Sequence, residues 1–426
     1  GIMTITTSGF YQKNIDNLTR LNKDVGDIQV QVSTGKKSLS LKHDVHEISR
    51  LNAAEEHKSE ISQFKNNAGR IISDLEKMDN SFAQLENATI RLQEIHVQTS
   101  NGLISQQERN LFKLEVKGIK QEILNIANRR DAFGKGIFAG DSGNAQPFGV
   151  DNFGLIRYSG SAAERSLQVS RDNQLRQNFS GDEVFLSAGS AGEKFSIFDA
   201  IDSFSRSLDF AIQPGISSNL LSSGSPNQVD LVFNSGGQAT NYKFDFVANG
   251  TTYKIDSNVY GNDFSAVVAA INSNKVSSGV SAVVSSQNKI TLTGLGVDLR
   301  IKNFSTDLPS TSDQYIAVQN VVASNVTNAT ILPHSFSNAE VESKLYKVFD
   351  HFIAMRTELG ITVKTAQNVE DSAQETLVNL DVDISQLEDA DMAELLTKLQ
   401  GLLTNKEAAQ ATFSRLTSTN LFDFLS

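Results

Sequence analysis

The chain has no cysteine and no tryptophan, and its five prolines all lie between Pro147 and Pro333. Without cysteine there can be no disulfide framework and no thiolate metal site, which suits a polypeptide that crosses redox compartments unfolded. No uninterrupted apolar run reaches 18 residues, so membrane insertion is not expected. The net charge of −11, with no basic face, argues against a nucleic-acid partner. The opening Gly1-Ile2-Met3-Thr4 lacks the charged and apolar regions of a cleavable secretion signal. Gly1-Ile2 reads as an appendage before a native Met3. Because proline breaks helix interiors, the proline-free flanks are the natural place for long helices, and the middle the place for turns and strands.

What the flanks contain is heptad spacing. Phe64, Ala68, Ile71, Leu75, Met78, Phe82, Leu85, Thr89 and Leu92 continue from Ile61 at alternating steps of three and four, the seam of a coiled-coil helix. Asn101-Gly102 closes the run. Ser105 with Glu108 predicts a capping box, opening a helix through Phe112, Val116, Ile119, Ile123 and Ile126 that ends near Asn128. A short connection favours an antiparallel return along the long helix. The rhythm resumes at Asn338 with Val341, Leu345, Val348, Phe352, Met355, Leu359 and Thr362.

Between the flanks, Ile137-Phe138, Leu155-Ile156, Leu167–Val169 and Val184-Phe185 read as short β-hairpins. A helix is expected over residues 196–212. From Pro214 to about Thr330, six segments from Val229 to Ile301 alternate with period two, with one helix near Asp263–Ser273 among them. The expected fold is therefore an α+β multidomain chain. A long antiparallel coiled-coil-like helical rod is built from both chain ends (34–213 and 331–394), with β-hairpins on it and an inserted outer α+β domain at 214–330.

The extreme ends, 3–33 and 395–426, add further apolar faces with no obvious partner in one copy. These are Ile15, Leu18, Leu21, Val25 and Ile28 at the start, and Leu399, Leu402, Phe413, Leu416, Leu421, Phe422, Phe424 and Leu425 at the finish. They are the candidate assembly interface, expected to be disordered alone and helical among sister copies.

Chemical motifs are sparse. Gly134-Lys135-Gly136-Ile137-Phe138-Ala139-Gly140 is one residue too long for a dinucleotide loop and follows a helix, so turn glycines are expected. His43, Asp44, His46 and Glu47 lack the spacing of a metal site. Glu388, Asp389 and Asp391 lack an EF-hand frame. No nucleophile elbow occurs. No catalytic residue, cofactor or metal is expected, and the chain is not read as an enzyme.

Ser33-Thr34-Gly35-Lys36-Lys37, the long helix, and Val97–Gly102 resemble the N-terminal part of bacterial flagellins and hook-associated proteins. Met355-Arg356-Thr357-Glu358-Leu359-Gly360 and Leu387–Asp391 resemble the matching C-terminal part, and Asn258–Asn274 a small repeat of their variable region. Asn128–Gly140, followed by Pro147-Phe148, is similar to the hook–filament junction branch, where filament flagellins usually show a Thr-Gln-Phe-Asn-Gly type of sequence. The ending Leu421–Leu425 points the same way, whereas Leu387–Asp391 is flagellin-like. The resemblance implies a structural adaptor exported through the flagellar type III channel with a chaperone and located outside the cell. Its partners would be copies of itself in a ring or filament, hook-associated protein 1 below and flagellin above. A filament flagellin is the alternative within the family. A surface-displayed binding module is the alternative outside it, weakened by the lack of tryptophan to stack on sugar.

Overall fold

The computed structural model describes residues 2–35, 45–210, 215–216, 218–221, 227–234, 237–321, 327–389 and 392–425, with side chains described from residue 9 to 415 apart from 327, 328 and 392. The chain divides into two compact units, one of Gly1–Gly69, Gln168–Asn173 and Gln367–Ser426, the other of Arg70–Leu167 and Gln174–Ala366.

Four long helices come from the proline-free flanks: α1 (Ile2–Thr34), α2 (Val45–Thr99), α8 (Asn338–Glu388) and α9 (Met392–Leu425). Helix α1 stops where Gly35 turns to φ +71° and donates its N–H to Gln31 O at 2.8 Å, a left-handed cap that glycine adopts without Cβ strain. In the first unit, Lys58 pairs with Asp381 at 2.6 Å and Lys65 Nζ donates to Gln374 Oε1. A step of seven forward on α2 thus matches seven backward on α8, an antiparallel pair in heptad register. The second unit repeats the direction: Arg356 on α8 reaches Asp79 at 2.8 Å and Glu86 at 3.0 Å on α2, while His96, later on α2, lies beside Glu342, earlier on α8.

The α2 seam is buried from Phe64 to Leu92, and Ile61 alone is only half covered. On α8, Val341, Leu345, Val348, Phe352, Leu359 and Thr362 are buried. Helix α3 (Gln106–Ala127) begins with the reciprocal Ser105–Glu108 capping box and ends at Asn128. Arg91 clamps Glu115, and Arg129 after α3 bonds Ser81 Oγ at 3.0 Å. These two contacts run α3 antiparallel to α2.

Hairpins β1 (Phe148–Val150) with β2 (Ile156–Tyr158), and β3 (Ser166–Gln168) with β4 (Gln174–Arg176), form as antiparallel pairs. Ile137-Phe138 lies in a turn and forms no strand, and neither does Val184-Phe185. The latter pair lies in the short helix α4 (Gly181–Phe185), because the Ser180 hydroxyl accepts the Glu183 N–H and starts a helical turn. Helix α5 (Ile197–Ser207) is capped by Ser196 and stops short of residue 212. Phe82, Phe138, Phe148, Phe179, Phe185, Phe198 and Phe352 meet edge-to-face, tilted or stacked at centroid separations of 5.2–6.4 Å. This cluster ties α2, α4, α5 and α8 to the β1 hairpin.

The β-rich segment holds β5 (Gln228–Asn234), β6 (Thr240–Ala248), β7 (Thr251–Val259), α6 (Ser265–Asn272), α7 (Lys275–Ser278), β8 (Val280–Ser286), β9 (Lys289–Gly294), β10 (Leu299–Thr306), β11 (Tyr315–Gln319) and β12 (Thr327–Ile331). The strands make a five-stranded sheet, β12-β11-β5-β9-β8, and a three-stranded one, β10-β6-β7. One core joins both, centred on Phe233 stacked on Phe264 at 4.4 Å. Strands β11 and β12 escape the period-two pattern. The centre of β11, Ile316-Ala317-Val318, is buried on both faces, which erases alternation.

The aromatic cluster sets the first prediction. Phe185→Ala, at a fully buried side chain, is expected to cost about 3–5 kcal/mol in denaturant unfolding, with secondary structure retained. A second concerns pH. His351 Nε2 lies 2.9 Å from Glu183 O and 3.0 Å from Val184 O; carbonyls only accept, so that nitrogen carries the proton. Burial holds the His351 pKa below the usual imidazole value, against the opposing pull of those carbonyls. The folded state therefore prefers the neutral ring, and this contribution is complete above the unfolded-state pKa of about 6.5 and is lost as pH falls from there through the lower folded-state value. His351→Gln should flatten the fall in Tm between about pH 7.5 and 5.5, His96 retaining the remainder because burial depresses it too.

Candidate assembly surface

An amphipathic helix exposes its seam unless another covers it, so the question for α1 and α9 is what each finds. They pack on one another, with Tyr11 edge-on to Phe413 at 5.9 Å. The expectation that these faces have no partner within one copy is thereby corrected: complementary heptads at the two chain ends serve each other first. The cover is partial. Val25 on α1 and Leu395 on α9 are buried, whereas Leu18, Leu21, Ile28, Leu399, Leu402 and Phe413 are half-buried and Ile15 is 45% exposed. Phe10, Val30 and Leu396 are exposed on the same helices. The side chains of Leu416, Leu421, Phe422, Phe424 and Leu425 lie outside the described residues.

A second apolar surface lies in the other unit, and the heptad reading missed it. Val97, Leu103, Leu111 and Leu114 are 66–92% exposed. Val97, Ile104, Leu111 and Phe112 line a groove that also carries Glu108 and Glu115. The signal was present: Ile90 and Val97 are seven apart, and Leu111 and Leu114 three apart, all off the buried seams. Contiguous exposed apolar surface marks an interaction site more often than chance.

Fixed charges brace the helices, beside the groove and elsewhere. Arg91 is bidentate to Glu115 at 2.6 and 3.0 Å and reaches Glu94 at 3.2 Å, and those carboxylates hold its guanidinium pKa above the usual value. Arg176 stacks over Phe179 at 3.8 Å while bonding Glu183 and Glu358. In the first unit, Arg171 in the β3–β4 turn is bidentate to Glu60 on α2.

The remaining motifs take structural places. Gly140 has φ +66°, and a Cβ there would sit 2.1 Å from Ser161 O; one on Gly136 would sit 2.4 Å from Asn144 O. These are turn glycines pressed against backbone. His46 and Glu47 open α2, while His43, Asp44 and Asp391 lie outside the described residues. Among the described residues no cluster of His, Asp and Glu is arranged to hold a metal, and no helix is long and apolar enough to cross a membrane.

Comparison with known proteins places these helices. Residues 5–142 match the bacterial flagellin N-terminal helical region, and residues 348–425 the bacterial flagellin C-terminal helical region, together about half of the chain. The flagellar hook-associated protein 3 of Escherichia coli (strain K12) is 26% identical over 210 residues, 47% of this chain and 65% of that protein. Its Salmonella typhimurium namesake is 25% identical over 43% of this chain and 57% of that protein. Polar flagellin F of Vibrio parahaemolyticus is 24% identical over 37% and 41%. The chain thus spans less than two thirds of the length of the curated relatives it matches. Among solved structures, hook-associated protein 3 of Legionella pneumophila covers 79% of this chain and 98% of its own at 16% identity and a TM-score of 0.47.

The half-covered seam carries its own prediction. Val25→Asp, which puts a carboxylate into the one buried position of α1 among those singled out, should separate α1 from α9. Limited proteolysis of the purified chain should then release both ends faster, leaving residues 45–388 protected.

Proposed function

The chain belongs to the bacterial flagellin family, and from that premise we propose that it is a structural subunit of the flagellum, the adaptor joining the hook to the filament. The observation that carries this reading is the partly open seam of α1 and α9: two chain ends that satisfy each other only in part, and leave apolar edges for sister molecules. The curated relatives named hook-associated protein 3 favour the junction over the filament, as does the sequence Asn128–Gly140.

In this reading, Ile15, Leu18, Leu21, Val25 and Ile28 pack with Leu399, Leu402, Phe413, Leu416, Leu421, Phe422, Phe424 and Leu425 against neighbouring copies. Residues 3–33 and 395–426 act as the assembly helices, and 214–330 faces outward. The work is packing, with no bond made or broken and no cofactor. Each apolar side chain that passes from half-buried to buried contributes a share of the ~1.5–3 kcal/mol that full burial supplies, so a ring of copies gains what one copy cannot. Hook-associated protein 1, flagellin and an export chaperone are the partners, and the subunit works outside the cell. The filament-subunit alternative rests on the likeness to polar flagellin F and on Leu387–Asp391.

A deletion strain tests the assignment. Loss of a junction subunit should leave hooks without filaments and release unpolymerised flagellin into the medium; a filament subunit's loss would leave no flagellin to release. Complementation with Leu402→Asp should fail to restore filaments although the protein is exported, whereas a chain lacking residues 215–330 should restore motility.

A further inference from the structure

The β-rich segment has four sheet edges, and three are blocked. Strand β10 carries a bulge between Lys302 and Ser305, β12 a register shift against Val318 and Gln319, and β8 a bulge between Val284 and Ser286. On β8 the Asn272 carboxamide also takes both backbone groups of Ala282, accepting its N–H at 2.8 Å and donating to its carbonyl at 2.9 Å. Bulges and caps of this kind are how proteins stop edges from pairing. Strand β7, against which α6 packs as it does against β8, has neither a bulge nor a side-chain cap. Its nine residues pair with β6 without a register shift, and among the described residues nothing bonds its outer backbone groups.

We propose that β7 is a docking edge for the β7 of a second copy, the two strands running antiparallel and turning each three-stranded sheet into half of a six-stranded one. The sequence Thr251-Thr252-Tyr253-Lys254-Ile255-Asp256-Ser257-Asn258-Val259 is self-complementary about Ile255. In that register Lys254 of each copy faces Asp256 of the other, Thr252 faces Asn258, and all nine residues overlap end to end. A slip of two residues either way sets Lys254 against Lys254 or Asp256 against Asp256, and like charges directly opposite are destabilising. A slip of one turns the buried Ile255 and Val259 out of line with the partner's core face. Lysine on an edge strand ordinarily deters pairing; here Asp256, two residues on and on the same exposed face, turns it into a selector of one register.

The absence of cysteine from the sequence makes the test clean. Full-length chains carrying Lys254→Cys and Asp256→Cys are oxidised separately and mixed. The proposed register gives a disulfide-linked dimer in the mixture and none from either variant alone, because equivalent residues then sit on the diagonal, beyond disulfide reach. Thr252→Cys mixed with Asn258→Cys should link as well, less in an Asp256→Lys background and again fully with Lys254→Asp and Asp256→Lys combined. No dimer from the first mixture, with circular dichroism showing both variants folded, overturns the proposal, as does equal linking by Lys254→Cys alone. These outcomes are independent of the terminal helices and so of the flagellar reading.

Discussion

A long amphipathic helix in water has one unavoidable problem: its apolar stripe must be covered by something of equal length and matching period. The chain solves it by placing its helices at opposite ends of the sequence and running them against each other. The seven-residue step that links Lys58 to Asp381 and Lys65 to Gln374 expresses the period of the match. Arg356 between Asp79 and Glu86, with His96 beside Glu342, gives the same antiparallel sense in the other unit. The surface ion pairs among these add little energy individually. The buried seam supplies the stability, and the charges select the register.

Coverage then grades along the chain. From Ile71 to Ile95 the seam residues of α2 are shut away, helped by the aromatic cluster and by α3 and α5. On α1 and α9 only two helices share the task, and two helices alone cannot close a seam on all sides. Ile15 accordingly stays open. A surface left in this state is poorly suited to a solitary molecule and well suited to a subunit, which is the physical basis for the assembly reading. The groove beside Val97 and Leu111 extends the argument to a part of the chain whose seams are otherwise satisfied.

Much of this was legible in advance because it depends on local periodicity. The spacing of Phe64 to Leu92, the Ser105–Glu108 cap and the alternation in β5 to β10 are properties of neighbouring residues. The misreadings have physical causes of the same clarity. Val184-Phe185 looks like a strand, but the Ser180 hydroxyl just upstream starts a helical turn. Strand β11 loses its alternation because both its faces are covered. The apolar face of α3 carrying Leu111 and Leu114 was hidden by the stronger Val116–Ile126 stripe on the same helix.

The sequence by itself determined where the helices and most strands form, that the ends are amphipathic, and that no thiol chemistry is available. These follow from side-chain period and composition, which act over a few residues. Only the tertiary structure decided that α1 and α9 serve each other, how far each apolar residue stays uncovered, and which sheet edge carries neither bulge nor cap. Those outcomes depend on which distant surfaces compete for the same partner, and no local pattern records that competition.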